Sequence, residues 1–404
     1  MNKNNLLTKN SIPKKYLNLS NLRKLTKKFQ STLKSVKEEI NSPFKTLNVL
    51  SKEFKYNFKT KDLIRFRKYK TIAIIGMGGS ILGTEALYSS LQNRIKKKIY
   101  FFNDLNENEI SDFKKKEKFS KALFIVVSKS GNTVETLSNA FSLNILKKNS
   151  KNIILISEKK NNLLFLLSKK LNLYFIEHKS YLGGRYSVLS EVGIVPAYLM
   201  GIKINKLKSK NLDFLNIKND SFKKDICEIA NILSSNKLNN LIFLNYSPEL
   251  EKFLYWSQQL IAESLGKKNK GFLPVISNVP KDHHSLLQLY LDGPRDKFFY
   301  IFSHEKKSKE IIKFHKSLNI KNYLNNKNLS SIKNAQKKAL IKAFDEKNIP
   351  YREFKINVLN EDVLGKLFSL FIIETVVIGK LLKINPFDQP AVEKVKVYTR
   401  KFLS

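Results

Sequence analysis

The stretch TIAIIGMGGSILGTEALYSSLQN, residues 71–93, decides the fold. It opens on TIAIIG, an apolar, β-branched run of the length of a buried strand, and closes on ILGTEALYSSLQN, whose apolar residues recur at helical spacing. Between them lies GMGGS, residues 76–80. Glycine tolerates positive φ and lets the backbone approach a ligand, and the free N–H groups of a new helix attract an anion. The unit therefore reads as strand, tight turn, helix. The turn either cradles a phosphate or only reverses the chain, and its own residues leave both open. It has neither the G-x-G-x-x-G spacing of a dinucleotide loop nor the lysine of a Walker A loop.

Outward from this unit the pattern repeats. Strand-like runs stand at residues 99–104 (IYFFND), 122–128 (ALFIVVS), 152–157 (NIILIS) and 173–177 (LYFIE), with helical spacing between them. A second series follows at 241–246 (LIFLNY), 298–303 (FFYIFS) and 351–356 (YREFKI), separated by helical segments near 249–266, 330–347 and 361–383. Such alternation predicts parallel strands joined by right-handed helical crossovers, and 404 residues exceed one ordinary core. The expected fold class is α/β with two units. The expected divisions are a basic, helical flank over residues 1–45, a first unit over 46–205 and a second over 206–384, with the Lys/Asn-rich stretch 203–220 at the junction. A C-terminal arm over 385–404 starts extended and ends in a short helix.

Composition narrows the partners. Lys and Arg number 74 against 34 Asp and Glu, a formal charge of +40, yet the lysines are spread among Asn and Ile rather than gathered into one stripe. That is a solvated basic surface, which attracts small anions; a nucleic-acid partner is not expected. The 28 Phe and 16 Tyr supply packed cores. The single cysteine, Cys227, reads as a buried structural thiol in a reducing compartment. The longest apolar run, residues 367–382, is interrupted by Glu374 and Lys380 and falls short of the roughly 20 residues of a membrane span. Residues 1–30 contain no continuous apolar segment of a secretory signal, so a cytoplasmic location is expected.

Five further motifs carry chemistry. SKSGNTVET, residues 128–136, follows a strand and offers the hydroxyls of Ser128, Ser130 and Thr133 and the charge of Lys129, either as an anion cradle or as the N-cap of the next helix. LGGRYSVLS, residues 182–190, presents Arg185, whose guanidinium stays charged and can hold an oxyanion or join a structural ion pair. WSQQLIAESLGKK, residues 256–268, puts Gln259 and Glu263 on one helical face. DHHSLLQLYLDGP, residues 282–294, holds two of the five histidines without the spacing of a metal site. NPFDQPAVEKVK, residues 385–396, places Gln389 and Lys396 two helical turns apart.

In this order the six segments resemble the glucose-6-phosphate isomerase family, over residues 72–400. The resemblance implies two three-layer αβα sugar isomerase domains with mainly parallel sheets, and aldose–ketose isomerisation of D-glucose 6-phosphate and D-fructose 6-phosphate through an enediolate, without metal or cofactor. It implies a homodimer whose active sites are shared through a His-bearing segment of the partner subunit. Position by position, Glu263 resembles the proton-transferring base, Arg185 the enediolate-stabilising arginine, and His284 with Lys396 the ring-opening pair. Gly79, Ser80, Ser128, Lys129, Ser130, Thr133, Gln259 and Gln389 resemble substrate contacts. His283 stands where the family often has Gln, and the register of SLLQLYLDGP selects His284 as the acting imidazole. Bifunctional phosphoglucose/phosphomannose isomerases carry Thr in place of the Gln of the arm, so Gln389 favours the glucose-specific form. The alternatives are that bifunctional activity and a non-catalytic sugar-phosphate sensor.

Overall fold

The structure, a computed structural model, describes residues 5–215, 220–306, 308, 310–315 and 322–403. Part of the expected junction, 216–219, lies outside them. Among the described residues ten strands form two sheets: β1 (Leu6–Ser11), β2 (Thr71–Gly76), β3 (Lys98–Phe102), β4 (Ala122–Val127), β5 (Ile153–Ser157), β6 (Tyr174–Glu177), β7 (Asn240–Asn245), β8 (Leu273–Asn278), β9 (Lys297–His304) and β10 (Tyr351–Ile356). The first sheet is parallel throughout, in the order β3-β2-β4-β5-β6. The second runs β1-β10-β9-β7-β8 and is parallel except for β1. Two mainly parallel α/β sheets are the fold class expected from the alternating pattern.

Both faces of each sheet are covered, and the two-residue period of the strands divides their side chains between them. In the first sheet Ile72, Ile74, Leu123 and Ile125 enter a central core while Ala73, Ile75, Phe124 and Val126 fill an outer one. In the second sheet Leu241, Phe243, Tyr300 and Phe354 enter the same central core, and Ile242, Leu244, Phe299 and Ile301 a third. One apolar cluster thus joins the inner faces of the two sheets through helices Leu82–Leu91, Glu191–Met200, Glu251–Leu265 and Glu361–Leu381. No helix of the described residues is long and apolar enough to cross a membrane.

Two strands escape the sequence pattern. The flank before residue 45 is helical over Leu19–Asn41, but Leu6–Ser11 is a strand that pairs antiparallel with β10. Of its six residues only Leu6 is buried, so LLTKNS shows no clear alternation. β8 contains Pro274 and, among the described residues, pairs only with β7. Proline removes a ladder donor and is tolerated at an edge, which is why LPVISN does not read as a strand.

The central core also holds charge. Arg352 of β10 is 1% exposed and bonds Glu374 of helix Glu361–Leu381, with the Asp225 carboxylate 3.6 Å away. Tyr300 donates its hydroxyl to Glu374 at 3.2 Å. Removing one member of a buried ion pair strands the other charge, so Glu374→Ala is expected to lower unfolding free energy by about 3–5 kcal/mol. Urea titration measures this, and a loss near zero would show that the guanidinium is solvated by other means.

Candidate active site

Chain order puts the first site at a point where the sheet reverses. β2 is followed by β3 on one side and then by β4 on the other, so the loops leaving the carboxyl ends of β2 and β4 part to either side of a crevice. Gly76 is in register with Val127, and therefore GMGGS and SKSGNT emerge side by side. Ser128 and Thr133 hydroxyls are hydrogen-bonded at 2.7 Å, Ser130 lies 3.5 Å from Thr133, and the Gly131 N–H donates to Ser128 Oγ at 3.1 Å. Gly131 has φ +67°, and a Cβ there would stand 1.8 Å from Asn162 Oδ1. The turn is thereby restricted to glycine. Thr133 occupies the N-cap position of helix Val134–Ser142, where its carbonyl accepts the Leu137 N–H at 3.0 Å but its side chain makes no cap bond; its hydroxyl is spent on Ser128, a departure from simple side-chain capping. Lys129 lies 3.6 Å from Glu158, and burial lowers its pKa while the Glu158 carboxylate opposes the shift.

The neighbouring loop is locked to the arginine segment. A Cβ on Gly79 would stand 2.2 Å from the carbonyl carbon of Gly184, so the two backbones touch, and the Ser187 hydroxyl donates to Gly79 O at 3.2 Å. Gly78, at φ +51°, faces Gln259 Nε2. Ser80 is half-buried next to them. GMGGS thus links the cradle to both Arg185 and the Glu263 helix.

Arg185 is 3% exposed, and all five of its N–H donors are engaged. Nε donates to Ser264 Oγ at 2.8 Å; Nη1 donates to Glu263 Oε2 at 3.1 Å and Gln389 Oε1 at 2.7 Å; Nη2 donates to the carbonyls of Pro386 at 2.7 Å and Asp388 at 2.9 Å. Gln259 Nε2 donates to the other Glu263 oxygen at 3.0 Å. Glu263 is half-buried on helix Glu251–Leu265, one oxygen held by a guanidinium and the other by an amide. That arrangement suits a group which takes and returns a proton beside a fixed positive charge.

The structure therefore gathers Gly79, Ser80, Ser128, Lys129, Ser130, Thr133, Arg185, Gln259, Glu263 and Gln389 into connected loops and helices. It does not bring in His284 or Lys396. His284 is exposed at the end of the short helix Lys281–His284, whereas His283 is held inward by Tyr246 at 3.1 Å, and burial together with the neighbouring His284 lowers its pKa. This separates the two imidazoles that the sequence leaves adjacent. Lys396 is exposed on helix Glu393–Leu403 and bonds Glu393 at 2.7 Å. Sequence reasoning missed Ser264, Tyr186, Lys267 and Asp388, which surround Arg185 or its partners. Their only signal was adjacency to motif residues. No group of three or more metal-ligating side chains occurs among the described residues.

With this geometry in place, comparison with known proteins is decisive: the family model described as phosphoglucose isomerase matches residues 31–404. The chain belongs to the phosphoglucose isomerase family. Among its curated relatives, a probable glucose-6-phosphate isomerase of Methanococcus maripaludis is 33% identical over 386 residues, covering 91% of this chain and 86% of that protein. The glucose-6-phosphate isomerase of Methanocaldococcus jannaschii is 31% identical over 347 residues, covering 81% and 83%. A crystal structure of a hypothetical protein from Thermus thermophilus is similar with a TM-score of 0.82 at 25% identity, covering 98% of this chain and 100% of that one. The phosphoglucose isomerase match includes every segment that forms the crevice, from GMGGS to the Gln389 strap.

Proposed function

We propose that this chain is an aldose–ketose isomerase that interconverts D-glucose 6-phosphate and D-fructose 6-phosphate through an enediolate, in glycolysis and gluconeogenesis in the cytoplasm. The observation that carries the reading is the Glu263 carboxylate fixed between Gln259 and the buried Arg185, with Gln259 facing the GMGGS loop that emerges beside a hydroxyl-rich cradle at a sheet switch point. Family membership supports it.

In this reading Ser128, Ser130, Thr133, Lys129, Ser80 and the Gly79 backbone bind the phosphate. A dianionic phosphate adds negative charge beside Lys129 and offsets the burial that depresses its pKa. Glu263 removes the proton from the carbon next to the carbonyl and returns it to the neighbouring one, and Arg185 stabilises the oxygen on which charge develops. Because every Arg185 donor is engaged, substrate oxygen gains a bond only as Glu263 or Gln389 yields one. His284 and Lys396 open the sugar ring. Both are exposed in the single chain, which supports a homodimer in which His284 of the partner subunit completes each site. Neither metal nor organic cofactor has a step in this chemistry.

The test is a coupled assay of purified protein, without added metal, offering fructose 6-phosphate and mannose 6-phosphate separately and detecting glucose 6-phosphate. Product from fructose 6-phosphate alone is expected. Product from both would replace this reading with a bifunctional isomerase, and product from neither would overturn isomerisation.

A further inference from the structure

Three of the five Arg185 donors end on one short strap, residues 385–389, through Pro386 O, Asp388 O and Gln389 Oε1. The strap belongs to no strand, and what holds it in place decides where Arg185 and Glu263 sit. Its anchor is Lys267, one residue beyond Gly266, the C-cap of the helix that carries Glu263. The Lys267 ammonium donates to Asn385 O at 2.5 Å, Asp388 O at 2.7 Å and Asp388 Oδ1 at 2.7 Å, and its side chain is 14% exposed. Asp388 O accepts from both Lys267 and Arg185. The second Asp388 oxygen accepts from Asn385 Nδ2 at 2.9 Å, which closes the strap on itself. Tyr186 adds a bond to Pro386 O at 2.7 Å and a ring contact with Phe387.

We propose that Lys267 is a positioning residue for the isomerisation: its ammonium latches strap 385–389 against Arg185 and, through Arg185 and Gln389, fixes the Glu263 carboxylate. Three donors of one ammonium meet three acceptors of the strap, so the contact saturates the group rather than decorating the surface. Helix Glu251–Leu265 thus holds the base directly and orients its cationic partner through the residue past its own end. The effect on rate follows from orientation, since a displacement of about 1 Å at a reacting group costs on the order of 10²-fold.

The catalytic part of this inference rests on the proposed isomerase activity, and the experiment separates the two. Hydrogen exchange over residues 385–392 and fructose 6-phosphate turnover are compared in the full-length wild type, Lys267→Met and Lys267→Arg. In Lys267→Met the strap is expected to exchange faster and kcat to fall about tenfold or more, with KM little changed, as for an interaction that orients the transition state. Lys267→Arg, which restores a cation with several donors, recovers part of both. Exchange as slow as wild type in Lys267→Met overturns the latch, and faster exchange with unchanged kcat overturns the positioning role. If Lys267→Met does not fold, Asp388→Asn removes the charged half of the same contact and is judged by the same two readouts. A wild type without turnover refutes the activity alone, because the exchange comparison still decides the latch.

Discussion

Glu263→Gln is expected to leave the fold intact and lower kcat by about 10²–10⁴-fold, the contribution of a positioned general base. The substitution keeps shape and leaves an amide oxygen that can accept from Arg185 Nη1, so the five-donor arrangement around the guanidinium persists. Glu263 is also only half-buried, and no core contact is lost. KM for fructose 6-phosphate should move little, because the hydroxyl cradle proposed to bind the phosphate lies on a different loop. Steady-state kinetics on protein of unchanged thermal midpoint decide the matter. A variant within tenfold of wild-type kcat would remove Glu263 from the chemistry.

Replacing Arg185 should harm activity and stability together, and this distinguishes it from Glu263. Arg185→Lys keeps a positive charge but presents three donors from one nitrogen, where the guanidinium spreads five across a plane. The lysine cannot span Ser264, Glu263, Gln389 and the two strap carbonyls at once, and each buried acceptor left without a donor costs about 1–3 kcal/mol. The expected outcome is a loss of about 3 kcal/mol in urea unfolding and a kcat lower by on the order of 10²-fold, as when an oxyanion donor is removed. A fully stable, inactive Arg185→Lys would assign the guanidinium to catalysis alone. A destabilised variant with normal kcat would assign it to structure alone.

The difference between these two substitutions reflects how the site is built. Glu263 belongs to one helix, and its neighbours Gln259 and Ser264 come from the preceding turn and the same turn of that helix. Arg185 is where three separated stretches meet: the 182–190 segment, the Glu263 helix and the 385–389 strap. Glu374 and Arg352 form a comparable meeting point in the second sheet, where the charge is buried for architecture rather than chemistry.

By itself the sequence determined the α/β alternation and eight of the ten strands among the described residues, because short β-branched runs separated by helical spacing are local signals. It also determined the residues capable of acid–base and phosphate chemistry, because side-chain type is written in the chain. Tertiary structure alone decided the rest. β1 becomes a strand only by pairing with β10, which lies near the opposite end of the chain, and Pro274 is tolerated only because β8 is an edge. Whether Arg185 is a member of one structural ion pair or a saturated buried hub depends on carbonyls about 200 positions away, whose direction no local pattern specifies. Lys267 shows the same limit: as a lysine after a helix in a chain of +40 it is indistinguishable from its neighbours until the strap folds back onto it. Two adjacent histidines likewise acquire different positions only when Tyr246 takes one of them inward.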